Sequence, residues 1–140
     1  MSKIAVVYWS GTGNTEAMAK AVSEGAWEAG AEVSLLTAAE FDASMLSKFN
    51  AVAFGCPAMG AESLEECEFE PMFESCEPGL KGVKTGLFGS YGWGSGEWMR
   101  IWEERCNADG AVMVCDPVIC SDAPDDDTAE ECRSLGAKLA

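Results

Sequence analysis

The sequence predicts an α/β fold, a three-layer sandwich in which one parallel sheet is covered by helices on both faces. Three observations carry that expectation. Short apolar runs, rich in β-branched residues, alternate along the 140 residues with longer segments whose apolar positions recur at helical spacing. The runs are apolar throughout rather than at every second residue, which is the pattern of strands buried on both faces. Three of them end directly in loops of glycine and small polar or sulfur-bearing residues, where open α/β sheets place their ligand crevices.

The first strand spans about residues 3–8, centred on Ile4-Ala5-Val6-Val7. The first helix, about 15–29, buries Met18, Val22, Ala26 and Ala29, and Gly30 suits the position just past its end. A second strand at 32–36 leads to a short helix around 42–48 and a third strand at 50–55. The next helix lies within 64–77. Pro71 is awkward in a helix interior, so the start is expected near Glu70 with Pro71 in the first turn. A fourth strand at 83–88 precedes a helix at 96–108 that carries Trp98, Ile101, Trp102 and Cys106 on one face, which makes both tryptophans core residues. The fifth strand is expected over 111–119. A capping box from Thr128 to Glu131 opens the last helix, which packs Cys132, Leu135 and Leu139. Five strands joined by right-handed crossovers follow. The absence of repeats, low-complexity tracts or linker-like stretches makes residues 1–140 one domain.

The loop after the first strand reads Tyr8-Trp9-Ser10-Gly11-Thr12-Gly13-Asn14-Thr15-Glu16. Between a strand and a helix, such a loop can hold a phosphate with no cation, because backbone N–H groups and side-chain donors converge at the positive end of the helix dipole. It contains no Lys or Arg. The P-loop pattern G-x-x-x-x-G-K-[ST] is therefore absent, and the dinucleotide fingerprint fails because Glu16 stands where its third glycine belongs. A cradle without a cation favours a tightly held monophosphate over a triphosphate. Alone, the loop reads better as a turn whose Ser and Thr residues cap a helix, a reading that stands until a second site element appears. A second loop, Gly89-Ser90-Tyr91-Gly92-Trp93-Gly94-Ser95-Gly96, sets two rigid aromatics among four glycines, a surface for stacking with close backbone approach. A third, Gly55-Cys56-Pro57-Ala58-Met59-Gly60-Ala61-Glu62, offers a soft, polarizable Met.

Together these three strings closely resemble the short-chain flavodoxins of anaerobic bacteria, over essentially the whole chain. The resemblance implies the sheet order 2-1-3-4-5 and a non-covalent FMN. It assigns the phosphate to the hydroxyls of Ser10, Thr12 and Thr15, the amide of Asn14 and the backbone around Gly11 and Gly13, with Ser90 as a further donor. Trp93 would stack on one face of the isoalloxazine and Met59 would pack on the other, within loops that also bring Pro57, Ala58, Tyr91, Gly92 and Gly94 to the cofactor. Glu62 would accept the flavin N3–H, and Asp122 stands where related chains often carry Asn. A turn of the Gly60-Ala61 peptide toward N5 would stabilise the neutral semiquinone. The implied function is low-potential one-electron transfer, shuttling between semiquinone and hydroquinone, by a carrier rather than an enzyme. An FMN-dependent reductase of a quinone or dye is the alternative, and a flavin-free interaction module a third reading. Receiver domains share the fold but need paired acids after the first strand, where this chain has Tyr8-Trp9-Ser10.

Twenty-four acids against nine bases give a net charge of −15. That balance disfavours nucleic acid or an anionic membrane as a partner and suits basic-surfaced redox proteins that dock transiently. Glu65, Glu66, Glu68 and Glu70, with Asp125-Asp126-Asp127, are expected to set a negative field near the loops, although a solvated face explains the aspartate run equally well. The seven cysteines form no C-x-x-C and the chain has no His, so no metal site is expected and most thiols should be reduced core residues. Without a signal-peptide pattern or a long apolar run, a cytoplasmic monomer is the expectation.

Overall fold

A computed structural model describes residues 2–60, 62–92 and 94–140. The elements are β1 (Lys3–Tyr8), α1 (Asn14–Glu28), β2 (Glu32–Thr37), β3 (Ala51–Gly55), α2 (Phe69–Cys76), β4 (Lys84–Tyr91), α3 (Glu97–Ala108), β5 (Val112–Met113), β6 (Val118–Ser121) and α4 (Asp126–Leu139), with 3-10 turns at Ala38–Glu40, Ala43–Lys48 and Glu77–Gly79. The sheet is parallel in the order β2-β1-β3-β4-β5, and β6 also pairs with β4.

The expected fifth strand is therefore two short ones. Val112–Met113 pairs with Lys84–Thr85, and Val118–Ser121 pairs with Phe88–Tyr91. The interruption contains Asp116 and Pro117, and Pro117 cannot donate to a ladder.

Alternation along β1 separates two cores. Ile4 and Val6 join Met18, Val22 and Ala26 of α1 and Cys132 and Leu135 of α4 on one face. Ala5 and Val7 join Phe69 and Phe73 of α2 and Trp98 and Trp102 of α3 on the other. There Phe69 and Phe73 lie nearly parallel, and Trp102 meets both edge-on at 5.4 and 5.7 Å. The two tryptophans are core, as the spacing predicts, but Ile101 is 48% exposed because it falls one position off that stripe. Ala29 is likewise exposed, at the end of α1.

The helix ends follow local chemistry. Gly30, at φ 97°, closes α1: its N–H donates to Trp27 C=O at 2.9 Å while Ala31 N–H reaches Ala26 C=O at 3.1 Å, the paired bonds of a Schellman ending. Pro71 does sit in the first turn of α2. The segment expected as a helix at 42–48 is a 3-10 turn capped by Asp42. At α4 the cap is Asp125, whose carboxylate accepts the Thr128 N–H at 2.8 Å; the helix starts two residues before the expected box, and Thr128 is inside it.

Candidate functional site

All the strands are parallel, so the loops after β1, β3 and β4 emerge at one end of the sheet, with the residues after β6 beside them. Backbone bonds tie them together there. Trp9 N–H donates to Gly55 C=O at 3.0 Å, Cys56 N–H to Phe88 C=O at 3.2 Å, Ala58 N–H to Ser90 C=O at 3.1 Å, and Asp122 N–H to Tyr91 C=O at 2.9 Å. Between them lies a cleft of about 250 Å³. Its walls are Trp9, Ser10, Gly11 and Thr12 from the first loop with Asn14 and Thr15 opening α1, Pro57, Ala58 and Met59 from the second loop, Ser90 and Tyr91 at the end of β4 with Gly92 beyond it, and Asp122 after β6. Gly89, Ser90 and Tyr91, expected in a loop, are the last residues of β4, because they pair with β6.

The polar end of the cleft is the start of α1. Gly13 is the residue before the helix, in the left-handed region at φ 99°, and no side chain caps the first turn. The Gly13 N–H is taken by Ser10 Oγ at 3.0 Å. The N–H groups of Asn14, Thr15 and Glu16 lack partners within the helix, as the first turn of any helix does, and face the dipole's positive end outward. Thr15 and Ser90 are buried, at 1% and 4% exposure, and their hydroxyls meet at 3.2 Å. The Thr15 oxygen also accepts the Ser90 N–H at 3.4 Å, and because one hydroxyl donates to the other, the pair keeps one O–H free to donate to a ligand. No Lys or Arg lines the cleft among the described residues. Uncapped helix N–H groups, buried hydroxyls and small glycines form a cradle for a phosphate, and the apolar wall of Pro57, Ala58, Met59 and Tyr91 beside it suits a flat ring. The residues present thus fit FMN.

Of the residues singled out from the sequence, these loops bring together all but six in the lining. Gly13 faces the far side of the phosphate loop, where a second cavity of about 430 Å³ opens. That cavity carries the carboxylates of Glu16 and Glu68 and lacks the buried Thr15–Ser90 hydroxyl pair, so it is the poorer place for an anion. Gly60 lies beyond the Met59 turn, closed by Glu62 N–H donating to Met59 C=O at 2.8 Å. Glu62, at φ 50°, spends one carboxylate oxygen on the Ser95 N–H at 3.0 Å, and a Cβ on Gly94 would overlap that oxygen. Glu62 and Gly94 therefore latch the second loop to the third at the rim. Ala61 and Trp93 lie outside the described residues.

Trp9 plays a larger role than the sequence indicates. Its indole N–H donates to Glu68 at 3.2 Å, and its ring covers Gly11 so closely that a Cβ there would stand 3.2 Å from it. It lines both cavities. Glu65, expected as a surface acid, is 6% exposed. Its carboxylate accepts the N–H groups of Cys67, Glu68 and Phe69 at 2.8, 2.7 and 2.9 Å, capping the approach to α2. Burial pushes this carboxyl up, but the three donors outweigh it and hold it below the ordinary range. Glu70 is not a free surface charge either: the Arg105 guanidinium grips both its oxygens, at 2.7 and 2.8 Å, and also reaches Glu77.

A family model described as Flavodoxin matches residues 6–136. The flavodoxin of Clostridium beijerinckii is 44% identical over 135 residues, covering 96% of this chain and 97% of that protein. The solution structure of two-electron reduced Megasphaera elsdenii flavodoxin superposes with a TM-score of 0.89 at 44% identity, covering 97% of each chain, and a flavodoxin from the domain Archaea with 0.86 at 30% identity, covering 99% and 96%. With the sheet order, the cation-free cradle and these likenesses in agreement, the chain belongs to the flavodoxins, the family of electron carriers that hold FMN.

Proposed function

We infer that the protein is a low-potential, one-electron carrier acting as a single domain, and that the cleft between the three loops is its FMN site. The uncapped start of α1, meeting the buried Thr15 and Ser90 hydroxyls, is the observation that carries this reading. Ser10, Thr12, Asn14, Thr15 and Ser90, with the backbone around Gly11 and Gly13, would hold the phosphate. Pro57, Ala58, Met59, Tyr91 and Gly92 would form the wall against the ring, with Trp93 opposite Met59. Glu62 gives one carboxylate oxygen to the Ser95 N–H, and the other would accept the flavin N3–H.

FMN supplies the one-electron chemistry when bound; the chain's role is to set the energy of each charge added to the cleft. Asp122 lines it, Glu62 stands at its rim, and no cation lines it among the described residues. Each unit charge at ~10 Å raises the energy of an added negative charge by about 0.4 kcal/mol in a water-like dielectric, and more where screening is poor. As ~1.4 kcal/mol corresponds to about 59 mV for one electron, several such charges lower the second potential by tens of millivolts.

The reading supports a carrier that hands electrons to basic redox partners in the cytoplasm as a monomer. Among the described residues no helix is long and apolar enough to cross a membrane. The test compares FMN with riboflavin. Thr12→Ala and Thr15→Ala are expected to weaken FMN by ~1.5–3 kcal/mol for each lost charge-assisted bond and riboflavin far less, measured by quenching of flavin fluorescence. Equal losses for both ligands would remove the phosphate from the cradle. Purified holoprotein that oxidises NADPH unaided in steady state would turn the reading toward a reductase.

A further inference from the structure

At the sheet edge opposite β5, β2 pairs with β1 alone. The Glu32 N–H donates to Ser2 C=O at 2.7 Å, so residues 32, 34 and 36 turn their backbone groups toward β1, and residues 33, 35 and 37 turn theirs outward. Thr37 N–H is taken by Glu40 at 2.8 Å. Among the described residues, the outward N–H and C=O groups of Val33 and Leu35 stand at an open edge. Soluble proteins blunt such edges with Pro, Lys or a bulge, and β2 has neither Pro nor Lys.

The side chains of the same two residues line a concavity of about 510 Å³ whose other wall is the C-terminal half of α1, from Ser23 and Glu24 to Trp27 and Glu28. Trp27 is 70% exposed and Leu35 38%. An indole left in water beside aliphatic side chains and unpaired main-chain groups has the composition of an interface hot spot. The charged residues lining the concavity are Glu24 and Glu28, with Glu32 at the start of β2 beside Lys3 and Lys20 a turn earlier on α1.

We propose that this groove docks an extended segment of another protein, one in which an apolar anchor is flanked by Lys or Arg. The segment's main chain adds to β2 as a further strand, its apolar side chain meets Trp27, Val33 and Leu35, and its cations reach Glu24 and Glu28. A second copy is a poor occupant, since each carries a net charge of −15 and would bring its own Glu24 and Glu28 to the contact. The groove runs along β2 while the cofactor cleft opens beyond the carboxyl ends of β1, β3 and β4. A segment docked here leaves that cleft free, so the surface can hold a partner close without covering the flavin site.

The test titrates ¹⁵N-labelled holoprotein with the acetylated, amidated peptide KKVIVKK and with EEVIVEE. The basic peptide is expected to give saturable shifts confined to residues 23–28 and 32–37 and slower hydrogen exchange at the Val33 and Leu35 N–H groups, and the acidic one to give none at the same concentration. Trp27→Ala should weaken KKVIVKK at least about tenfold, as loss of a hot-spot anchor does. Leu35→Pro, which removes an outward N–H but leaves the β1 ladder intact, should do the same. Both variants should keep the wild-type FMN affinity, which separates this result from any failure of the cofactor reading. Shifts spread over the acidic loops, binding unchanged in Trp27→Ala, or no exchange protection at β2 would overturn the proposal. Self-association of the peptide-free protein that Trp27→Ala abolishes would also overturn it, by assigning the groove to a second copy.

Discussion

Glu65 separates surface charge from architecture at a single residue. A charge-neutralising Glu65→Gln would set an NH₂ against one of the three backbone donors its carboxylate now satisfies. The expected cost is about 1–3 kcal/mol, seen as a lower urea midpoint with an unchanged slope. Its pH dependence has a definite sign. The folded carboxyl lies below its unfolded value, so its contribution is complete above the unfolded range near 4.5 and is lost as pH falls through the folded value. The gap between wild type and Glu65→Gln should therefore be flat near neutrality and close in acid. Thiols give a second check. Burial pushes Cys56, Cys106 and Cys132 up to about 12 and Cys76 up to about 11. Cys67 is exposed, although the neighbouring Glu65 carboxylate raises it too. Iodoacetamide at pH 8, followed by peptide mass spectrometry, should find Cys67 modified and those four buried thiols spared. The phosphate loop was legible because its donors are contiguous in the chain. The Trp9–Glu68 bond joins residues 59 positions apart, so no local pattern discloses it. Glu65 caps the N–H groups of Cys67, Glu68 and Phe69 just ahead of it, a local arrangement that its place in a run of acids concealed.

Among the elements, α1 and α4 show how closely packing decides what a position tolerates. They cross on Gly25 and Gly136: a Cβ at Gly136 would overlap the Val22 carbonyl, and one at Gly25 the Arg133 carbonyl. Ala is the better helix former by about 1 kcal/mol, yet a methyl driven into the facing backbone must push the helices away from each other. Gly136→Ala should cost about 1–3 kcal/mol by thermal or urea unfolding, whereas the same change at Gly30, which sits at φ 97° with open space around it, should cost only the left-handed strain of about 1–2 kcal/mol. Period and length were enough to locate every helix and the first four strands, since burial on a sheet face imposes them on the sequence. Capping was harder to read. Asp125 and Thr128 are both competent caps, and three consecutive aspartates offer no local reason to choose the first. The division of the last strand depends on where Pro117 leaves the β4 ladder, a tertiary fact that the apolar run conceals.

Across the whole molecule the parallel topology sorts charge by position. Glu16, Glu97, Asp126 and Asp127 stand in the first turns of α1, α3 and α4, at the cleft end, with Glu66, Glu68 and Asp122 in the loops beside them. Lys3 and Lys84 begin β1 and β4, while Arg105 and Lys138 stand in the last turns of α3 and α4, at the opposite end. The helix-end placements suit the local dipole, Glu28 in the last turn of α1 excepted, and together these charges make the cleft the negative pole of a molecule of net charge −15. A basic redox partner would be turned toward that pole before contact. Electron transfer to a basic cytochrome should therefore be fast at low ionic strength and slow as salt rises, because the screening length falls from about 30 Å at 0.01 M to about 8 Å at physiological strength. The residues to neutralise are exposed ones free of capping duty. Glu66→Gln with Asp127→Asn should flatten the salt slope and leave the urea midpoint nearly unchanged, whereas Glu65→Gln should lower the midpoint. The same pair should raise the second reduction potential slightly, since both effects come from one negative field. Stopped-flow transfer across a salt series decides it: a wild-type rate that stays flat or climbs with salt would leave this pole a solvated surface with no role in docking.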